Sequence, residues 1–122
     1  MSFERVLVVE DEPEIRDFVE VLLGSEGYHV ITASNGAVAL ERVLGGETFD
    51  LVLLDMRMPV MDGWTFAQAY HERPGPHAPI VVLTAARDAE ARAVQIRADG
   101  YLGKPFDMDD LLRLVAHHTG RA

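Results

Sequence analysis

The chain contains no cysteine, which excludes disulfide bonds, thiolate metal sites and cysteine nucleophiles. It has no apolar run near the roughly 18 residues that a membrane-spanning helix needs. The N-terminal stretch MSFERVLVVEDEP turns acidic too early for a signal peptide. Basic residues are also scarce, since 11 of them face 20 acidic residues and give a formal net charge of −9. Such a chain is a poor general ligand for nucleic acid or anionic membranes, so we expect neither as a partner.

What remains is an ordinary globular composition. The 122 residues are 48% hydrophobic, which predicts a single domain over residues 1–122 with a core of its own and a cytoplasmic location. Five short apolar runs are spaced along it: residues 6–9 (VLVV), 29–33 (HVITA), 51–54 (LVLL), 80–83 (IVVL) and 101–103 (YLG). Runs that are apolar on both faces are typical of parallel strands covered on both sides.

Amphipathic segments follow each of these runs. In the first segment Ile15, Phe18, Val19 and Leu22 recur at the spacing that places them on one helical face. In the second, Ala37, Leu40 and Leu44 repeat that pattern. Alternating strands and helices predict an α/β fold, a (βα)5 doubly wound parallel sheet with helices on both faces.

Polar side chains follow four of the predicted strands. Glu10 and Asp11 come after the first strand, Asp55 after the third, Thr84 after the fourth and Lys104 after the fifth. The carboxyl ends of parallel strands meet at one edge of a sheet, where such proteins place their working groups. The sequence therefore predicts a pocket with three carboxylates, a hydroxyl and the only lysine of the chain.

These groups favour phosphoryl chemistry with a divalent ion. Three neighbouring carboxylates repel one another unless some are protonated or a cation joins them. Oxygen ligands without histidine or cysteine favour Mg²⁺, which proteins often hold together with phosphate oxygens. Asp55 is then a candidate nucleophile that forms an aspartyl phosphate. Lys104 would neutralise the transferred group, and the Thr84 hydroxyl could donate to one of its oxygens.

Four stretches together resemble the receiver domain of two-component response regulators. They are VLVVEDEP (6–13), DLVLLDMRMPVMDG (50–63), IVVLTA (80–85) and DGYLGKPF (99–106). The resemblance, closest to chemotaxis-type regulators, spans nearly the whole chain. It implies a flavodoxin-like fold with strand order 2-1-3-4-5.

The resemblance also implies a role for individual residues at the pocket. Asp55 matches the phosphoacceptor. Asp11 matches a direct Mg²⁺ ligand, Glu10 an acidic partner that acts largely through water, and the backbone carbonyl of Arg57 a third protein ligand. Thr84 matches, with Lys104, the pair that contacts the phosphoryl group.

Two further expectations come from the same resemblance. Tyr101 matches the aromatic side chain whose rotamer reports activation, although a half-buried core position would also explain it. The Lys104–Pro105 peptide bond matches one that is cis in the family.

The resemblance implies a signalling switch. A histidine kinase or a histidine phosphotransfer protein would donate the phosphoryl group, and the surface of the fourth helix, fifth strand and fifth helix would shift to control an output protein or a linked effector domain. Such a domain catalyses its own phosphotransfer and autodephosphorylation but turns over no separate substrate. It would be a monomer or a phosphorylation-dependent dimer.

Some positions depart from the family pattern. Arg57 and Ala86 occupy the two positions that tune the lifetime of the phosphoryl group, and we expect Arg57 to cover that group or to pair with a neighbouring acid. Gly103 would weaken the fifth strand beside Lys104. Arg97 stands where a glycine often ends the fourth helix, which predicts a turn that is either strained or built differently.

Three alternative functions remain open at this point. A dehalogenase-type phosphatase also uses a strand-end aspartate, but it needs a second aspartate where this chain has Arg57. A flavodoxin-like cofactor binder needs a glycine- and hydroxyl-rich loop after the first strand, where this chain has Glu-Asp-Glu-Pro. A degenerate receiver would act only as a docking module.

Overall fold

Each predicted apolar run forms a strand, and a helix follows each strand, in a computed structural model that describes residues 3–121. The strands are β1 (Arg5–Val9), β2 (His29–Ala33), β3 (Leu51–Asp55), β4 (Ile80–Ala85) and β5 (Gly100–Lys104). The helices are α1 (Pro13–Ser25), α2 (Gly36–Leu44), α3 (Gly63–Glu72), α4 (Ala86–Ile96) and α5 (Met108–Thr119). All strand pairs are parallel and the sheet order is β2-β1-β3-β4-β5, which confirms the predicted fold.

The central strands alternate between two apolar layers. In β1, Leu7 and Val9 pack into one core cluster together with residues of α2, α3 and α4. Val6 and Val8 pack into the other cluster, with residues of α1 and α5. Because both faces of these strands are covered, the sequence of each strand is a continuous apolar run.

Short polar side chains start three of the helices. Asn35 accepts a hydrogen bond from the backbone N–H of Val38, Asp62 from that of Thr65, and Asp107 from that of Asp110. Each bond satisfies a backbone donor that the first helical turn leaves unpaired. α1 instead begins at Pro13, whose missing N–H needs no partner at this position.

α4 has no such cap. It begins at Ala86, directly after the last residue of β4, with no side-chain hydrogen bond at its start. It ends at Ile96, and the next residue, Arg97, adopts a left-handed conformation with φ of 55°. A non-glycine residue is uncommon in this region, so Arg97 takes the conformation that a glycine usually supplies after a helix.

The predicted helical faces are wrong at two positions. Phe18 is 44% exposed and Leu44 is 66% exposed, although the apolar spacing placed both inward. The buried stripes run instead through Val19 and Leu23 in α1, and through Ala39 and Val43 in α2. Leu44 is the last residue of α2, and at the start of that helix Gly36 N–H donates to the carbonyl of Met61 at 2.9 Å.

Within residues 3–121, no helix combines the length and the apolar character needed to cross a bilayer.

Candidate functional site

The sheet brings the predicted polar residues together at its carboxyl edge. Asp55 is the last residue of β3, and Glu10 and Asp11 follow directly after β1 on the neighbouring strand. On the other side, Thr84 near the end of β4 pairs with Gly103, one residue before Lys104. The carboxyl ends of β1, β3, β4 and β5 thus bring all five predicted side chains together.

Glu10, Asp11 and Asp55 form an acidic cluster. One carboxylate oxygen from each lies within 4.8 Å of the others. Glu10 is fully buried and Asp55 is 5% exposed. The backbone N–H of Met56 donates to Asp55 Oδ1 at 2.8 Å, and that of Glu12 donates to Glu10 Oε2 at 3.2 Å.

Lys104 supplies the positive charge of this cluster. Its Nζ lies 2.7 Å from Glu10 Oε1, 3.7 Å from Asp55 Oδ1 and 3.9 Å from Glu12 Oε1. The ammonium therefore bridges the two buried acids, and Glu12 stays at the rim of the site. The Lys104–Pro105 peptide bond is cis, as the sequence resemblance implied.

The electrostatics of the site favour an added cation. Burial, reinforced by the charge of Glu10, raises the pKa of Asp55 from 3.8 to about 8, and the attraction of Lys104 offsets only part of this. Burial by itself lowers the pKa of Lys104. The Glu10 and Asp55 carboxylates outweigh that effect, so the pKa of Lys104 is raised. One ammonium thus does not compensate all the acidic groups.

A cleft of about 620 Å³ opens above the cluster. Asp55, Arg57, Thr84 and Lys104 line one part of it. An apolar wall, which the sequence pattern did not reveal, lines another part; its members are Ile15, Phe18, Pro105 and Phe106. The acidic residues Glu12, Glu14 and Asp88 also line the cleft. The exposure of Phe18 on α1 is explained by this position.

Two glycines allow the close packing that holds the site. A Cβ on Gly63 would lie 2.6 Å from the carbonyl oxygen of Asp55, so only glycine lets α3 start against the end of β3. A Cβ on Gly103 would lie 2.6 Å from the Cβ of Ala86 and closer still to its Cα. Gly103 therefore lets α4 rest directly on β5.

Tyr101 and Arg57 both lie at the periphery of the site. Tyr101 is 45% exposed, and its hydroxyl donates to Glu90 Oε2 on α4 at 3.1 Å. This hydrogen bond raises the pKa of Tyr101. The guanidinium of Arg57 pairs with no carboxylate within residues 3–121 and lies 6.0 Å from the ring centroid of Trp64. The ion pair, one of the two positions expected for Arg57, is therefore not formed among these residues, and coverage of the phosphoryl group stays a prediction.

The donor set fits Mg²⁺. Glu10, Asp11 and Asp55 offer hard oxygen ligands, and no histidine or cysteine joins the cluster among the described residues. The positive charge of a bound divalent ion would also offset the burial and the Glu10 charge, which together raise the pKa of Asp55. The geometry thus supports a metal-assisted reaction at the Asp55 carboxylate.

Comparison with known proteins yields a family and several relatives. The family model "Response regulator receiver domain" matches residues 6–116. The probable transcriptional regulator ycf27 of Guillardia theta is 39% identical over 124 residues, which cover 98% of this chain and 48% of that protein. The chain spans about half the length of the curated relatives of this kind that it matches.

Solved structures show the same fold. The receiver domain of sensor histidine kinase PA1611 from Pseudomonas aeruginosa PAO1, with a magnesium ion coordinated in its active site cleft, is 31% identical with a TM-score of 0.86; 98% of this chain and 99% of that chain are covered. The response regulator TrrA from Thermotoga maritima, in complex with Mg²⁺-BeF, is 35% identical with a TM-score of 0.82 and coverages of 95% and 99%.

Proposed function

The chain belongs to the response regulator receiver domain family of two-component systems, and from this premise we propose that Asp55 accepts a phosphoryl group from a phosphohistidine. A carboxylate oxygen of Asp55 attacks phosphorus, a new P–O bond forms, and the P–N bond to the donor imidazole breaks. The observation that carries the proposal is the convergence of Asp55, two further acids and Lys104 at one edge of the sheet.

Glu10, Asp11 and Asp55 are the side chains that would hold Mg²⁺, with the backbone carbonyl of Arg57 as a further ligand. The ion would supply charge neutralisation for the oxygens of the phosphoryl group. Lys104 Nζ, 3.7 Å from Asp55 Oδ1, is placed to pair with one of those oxygens. The hydroxyl of Thr84, which lines the same cleft, would donate to another.

The switch would run from Thr84 to Tyr101. Movement of Thr84 toward the phosphoryl group opens space behind it, and Tyr101 can turn inward once its hydrogen bond to Glu90 breaks. The surface formed by α4, β5 and α5 then changes shape. A partner that prefers the new shape favours phosphorylation to the same extent, because linkage is reciprocal.

Partners follow from the relatives. Because curated relatives are transcriptional regulators and one solved neighbour is the receiver of a histidine kinase, a kinase or phosphotransfer donor and an output domain or protein are the proposed partners. The extent of the domain as residues 1–122, the cytoplasmic location, the lack of nucleic-acid binding by this domain and the monomer or phosphorylation-dependent dimer stay predictions.

A small phosphodonor tests the chemistry directly. The chain, incubated with Mg²⁺ and carbamoyl phosphate, is expected to gain the mass of one phosphoryl group, and peptide mapping should place it on Asp55. Asp55→Asn should fold normally, judged by circular dichroism, and gain nothing.

Asp62→Asn is the matched control, because Asp62 caps α3 through its side chain and asparagine can cap as well. This variant should be phosphorylated like the parent. A parent chain that stays unmodified, or an adduct that persists in Asp55→Asn, would refute the assignment. Normal phosphate-dependent partner binding by Asp55→Asn would refute the proposed switch.

A further inference from the structure

Arg57 has an unusual partner for a charged residue beside an acidic site. It lines the cleft next to Asp55, and its side chain is exposed. Its guanidinium nevertheless lies toward the ring of Trp64, with Cζ 6.0 Å from the ring centroid. This distance is at the outer limit of a cation–π contact, so Arg57 is held weakly and can exchange between positions.

The Trp64 ring is held by two side chains of α4. Its Nε1 donates to Gln95 Oε1 at 2.9 Å. The Arg92 guanidinium lies 5.3 Å from the same ring centroid and donates to the same Gln95 oxygen at 3.2 Å. The ring therefore keeps its orientation without help from Arg57 and offers that residue a fixed resting place.

A phosphoryl group on Asp55 would compete with the Trp64 ring for the Arg57 guanidinium. It brings a charge of about −2 at neutral pH, two residues from Arg57. Loss of the group requires a water oxygen to bond to phosphorus while the P–O bond to the Asp55 carboxylate breaks, with phosphate released and one water proton passing to solvent. A guanidinium over the phosphoryl oxygens would obstruct the approach of that water.

We propose that Trp64 is a positioning residue that holds Arg57 aside from the phosphoryl group and so limits how long the group survives. This inference rests on the proposed phosphorylation of Asp55. An exposed cation–π contact shifts the balance between two positions of a side chain by about two- to fivefold. Removal of the ring should therefore lengthen the half-life of the adduct by about that factor.

The test measures the half-life of the Asp55 adduct by intact mass spectrometry after rapid removal of carbamoyl phosphate. Trp64→Leu should lengthen it about two- to fivefold, whereas Trp64→Phe, which keeps an aromatic face, should lengthen it less. In an Arg57→Ala background, Trp64→Leu should have no effect. Arg87→Ala, an exposed arginine of α4 outside the Trp64 cluster, should behave like the parent.

Two results would overturn the inference: an unchanged half-life in Trp64→Leu, or the same lengthening with and without Arg57, since the second would mean that helix packing is responsible. The absence of any adduct in every variant would refute the proposed function instead.

Fluorescence provides a measurement that does not depend on the folding of a Trp64 variant. Trp64 is the only tryptophan, so the emission of the intact chain reports on its ring. Mg²⁺ with beryllofluoride should draw Arg57 away from the ring and change this emission in the parent. An equal change in Arg57→Ala would overturn the inference.

Discussion

At the scale of single residues, the site is defined by a carboxylate that is costly to ionise. Asp55 is 5% exposed and shares its surroundings with the buried Glu10. Burial, which is the larger effect, and the charge of Glu10 together raise the pKa of Asp55 to about 8. A carboxylate must be ionised to attack phosphorus, so the proposed phosphorylation of Asp55 near neutral pH requires a cation beyond Lys104.

The raised pKa of Asp55 predicts how the stability of the folded chain depends on pH. In the presence of a chelator, the folded chain keeps a proton on Asp55 between pH 3.8 and about 8, whereas the unfolded chain loses it near its ordinary value. The folded state binds more protons in this window, so the contribution of Asp55 to stability is full below pH 3.8 and is lost as pH rises through about 8. Urea denaturation across this range measures the effect.

Asp55→Asn is the control for that experiment, because it removes the titrating group while keeping a similar shape. Its free energy of unfolding should depend less on pH than that of the parent. Mg²⁺ should bind the parent more tightly as pH rises toward about 8 and should release a proton on binding. Identical pH profiles of stability for parent and variant would contradict the prediction.

At the scale of helices and strands, α4 is distinctive because it follows β4 without a connecting loop. Its first residue, Ala86, rests on Gly103 of β5. Its middle is tied to β5 by the bond between Glu90 and Tyr101, and its last turn to α3 by the bond between Gln95 and Trp64. α4 is thus attached at three points to elements that surround the cleft.

The first of these attachments can be tested with one methyl group. Gly103→Ala should lower the free energy of unfolding by about 1–3 kcal/mol, because the new Cβ meets the backbone of Ala86, which cannot rotate away. Gly24→Ala in α1 is the matched control: no atom lies within 4 Å of its new Cβ, and alanine favours the helix by about 0.5–1 kcal/mol. Chemical denaturation should show a lower free energy of unfolding for Gly103→Ala and a higher one for Gly24→Ala. Equal stability of Gly103→Ala and the parent would show that α4 can move away from β5 without loss of stability.

The loop between β3 and α3 holds a second testable element. Val60 is 85% exposed and has φ of 69°, a region in which a β-branched residue is strained. It forms the centre of a tight turn in which Met61 N–H donates to the carbonyl of Pro59 at 2.8 Å. Val60→Asn should raise the free energy of unfolding by about 1 kcal/mol, because asparagine tolerates this conformation.

Val60→Ala is the comparison for this variant. Alanine removes the branched Cβ but lacks the local preference of asparagine, so it should gain less stability than Val60→Asn. Thermal unfolding of the two variants ranks them. If Val60→Asn melts below the parent, the turn is not strained by its valine.

At the scale of the whole molecule, the two edges of the sheet differ in character. The carboxyl edge carries the acidic cluster, the cleft, the Tyr101 hydrogen bond to Glu90 and the Arg57 contact with Trp64. At the amino edge, Arg121 donates to Glu4 Oε2 at 2.6 Å and to the carbonyl of Glu26 at 2.6 Å, and it stacks 3.8 Å from the ring of Tyr28. This second set ties the end of α5 to the start of β1.

The contrast predicts where a phosphoryl analogue acts. Beryllofluoride with Mg²⁺ should shift the amide resonances of α4, β5 and the first turns of α5, and should leave those around Glu4, Tyr28 and Arg121 in place. Two-dimensional amide spectra before and after addition measure this. Shifts of equal size at both edges would indicate a general rearrangement, and Asp55→Asn should show none at either edge.

The sequence by itself determined the fold and which polar groups meet at the carboxyl edge of the sheet. Parallel strands buried on both faces must be apolar throughout, so each of them could be read from a short run, and the groups that follow them had to meet at one edge. The polar character of Asp55, Glu10 and Lys104 at those positions needed no coordinates to be noticed.

Only the tertiary structure decided how the surrounding groups pack. The inward faces of α1 and α2 depend on how each helix is rotated against the sheet, which local periodicity gives only to within a neighbouring residue. Two contacts join elements that are distant in the chain: Ala86 packs on Gly103, and Arg57 lies beside Trp64. Residue spacing within one segment does not indicate contacts between segments. The position of Arg57 beside Trp64 could therefore be seen only in the structure, where α3 and α4 are in place.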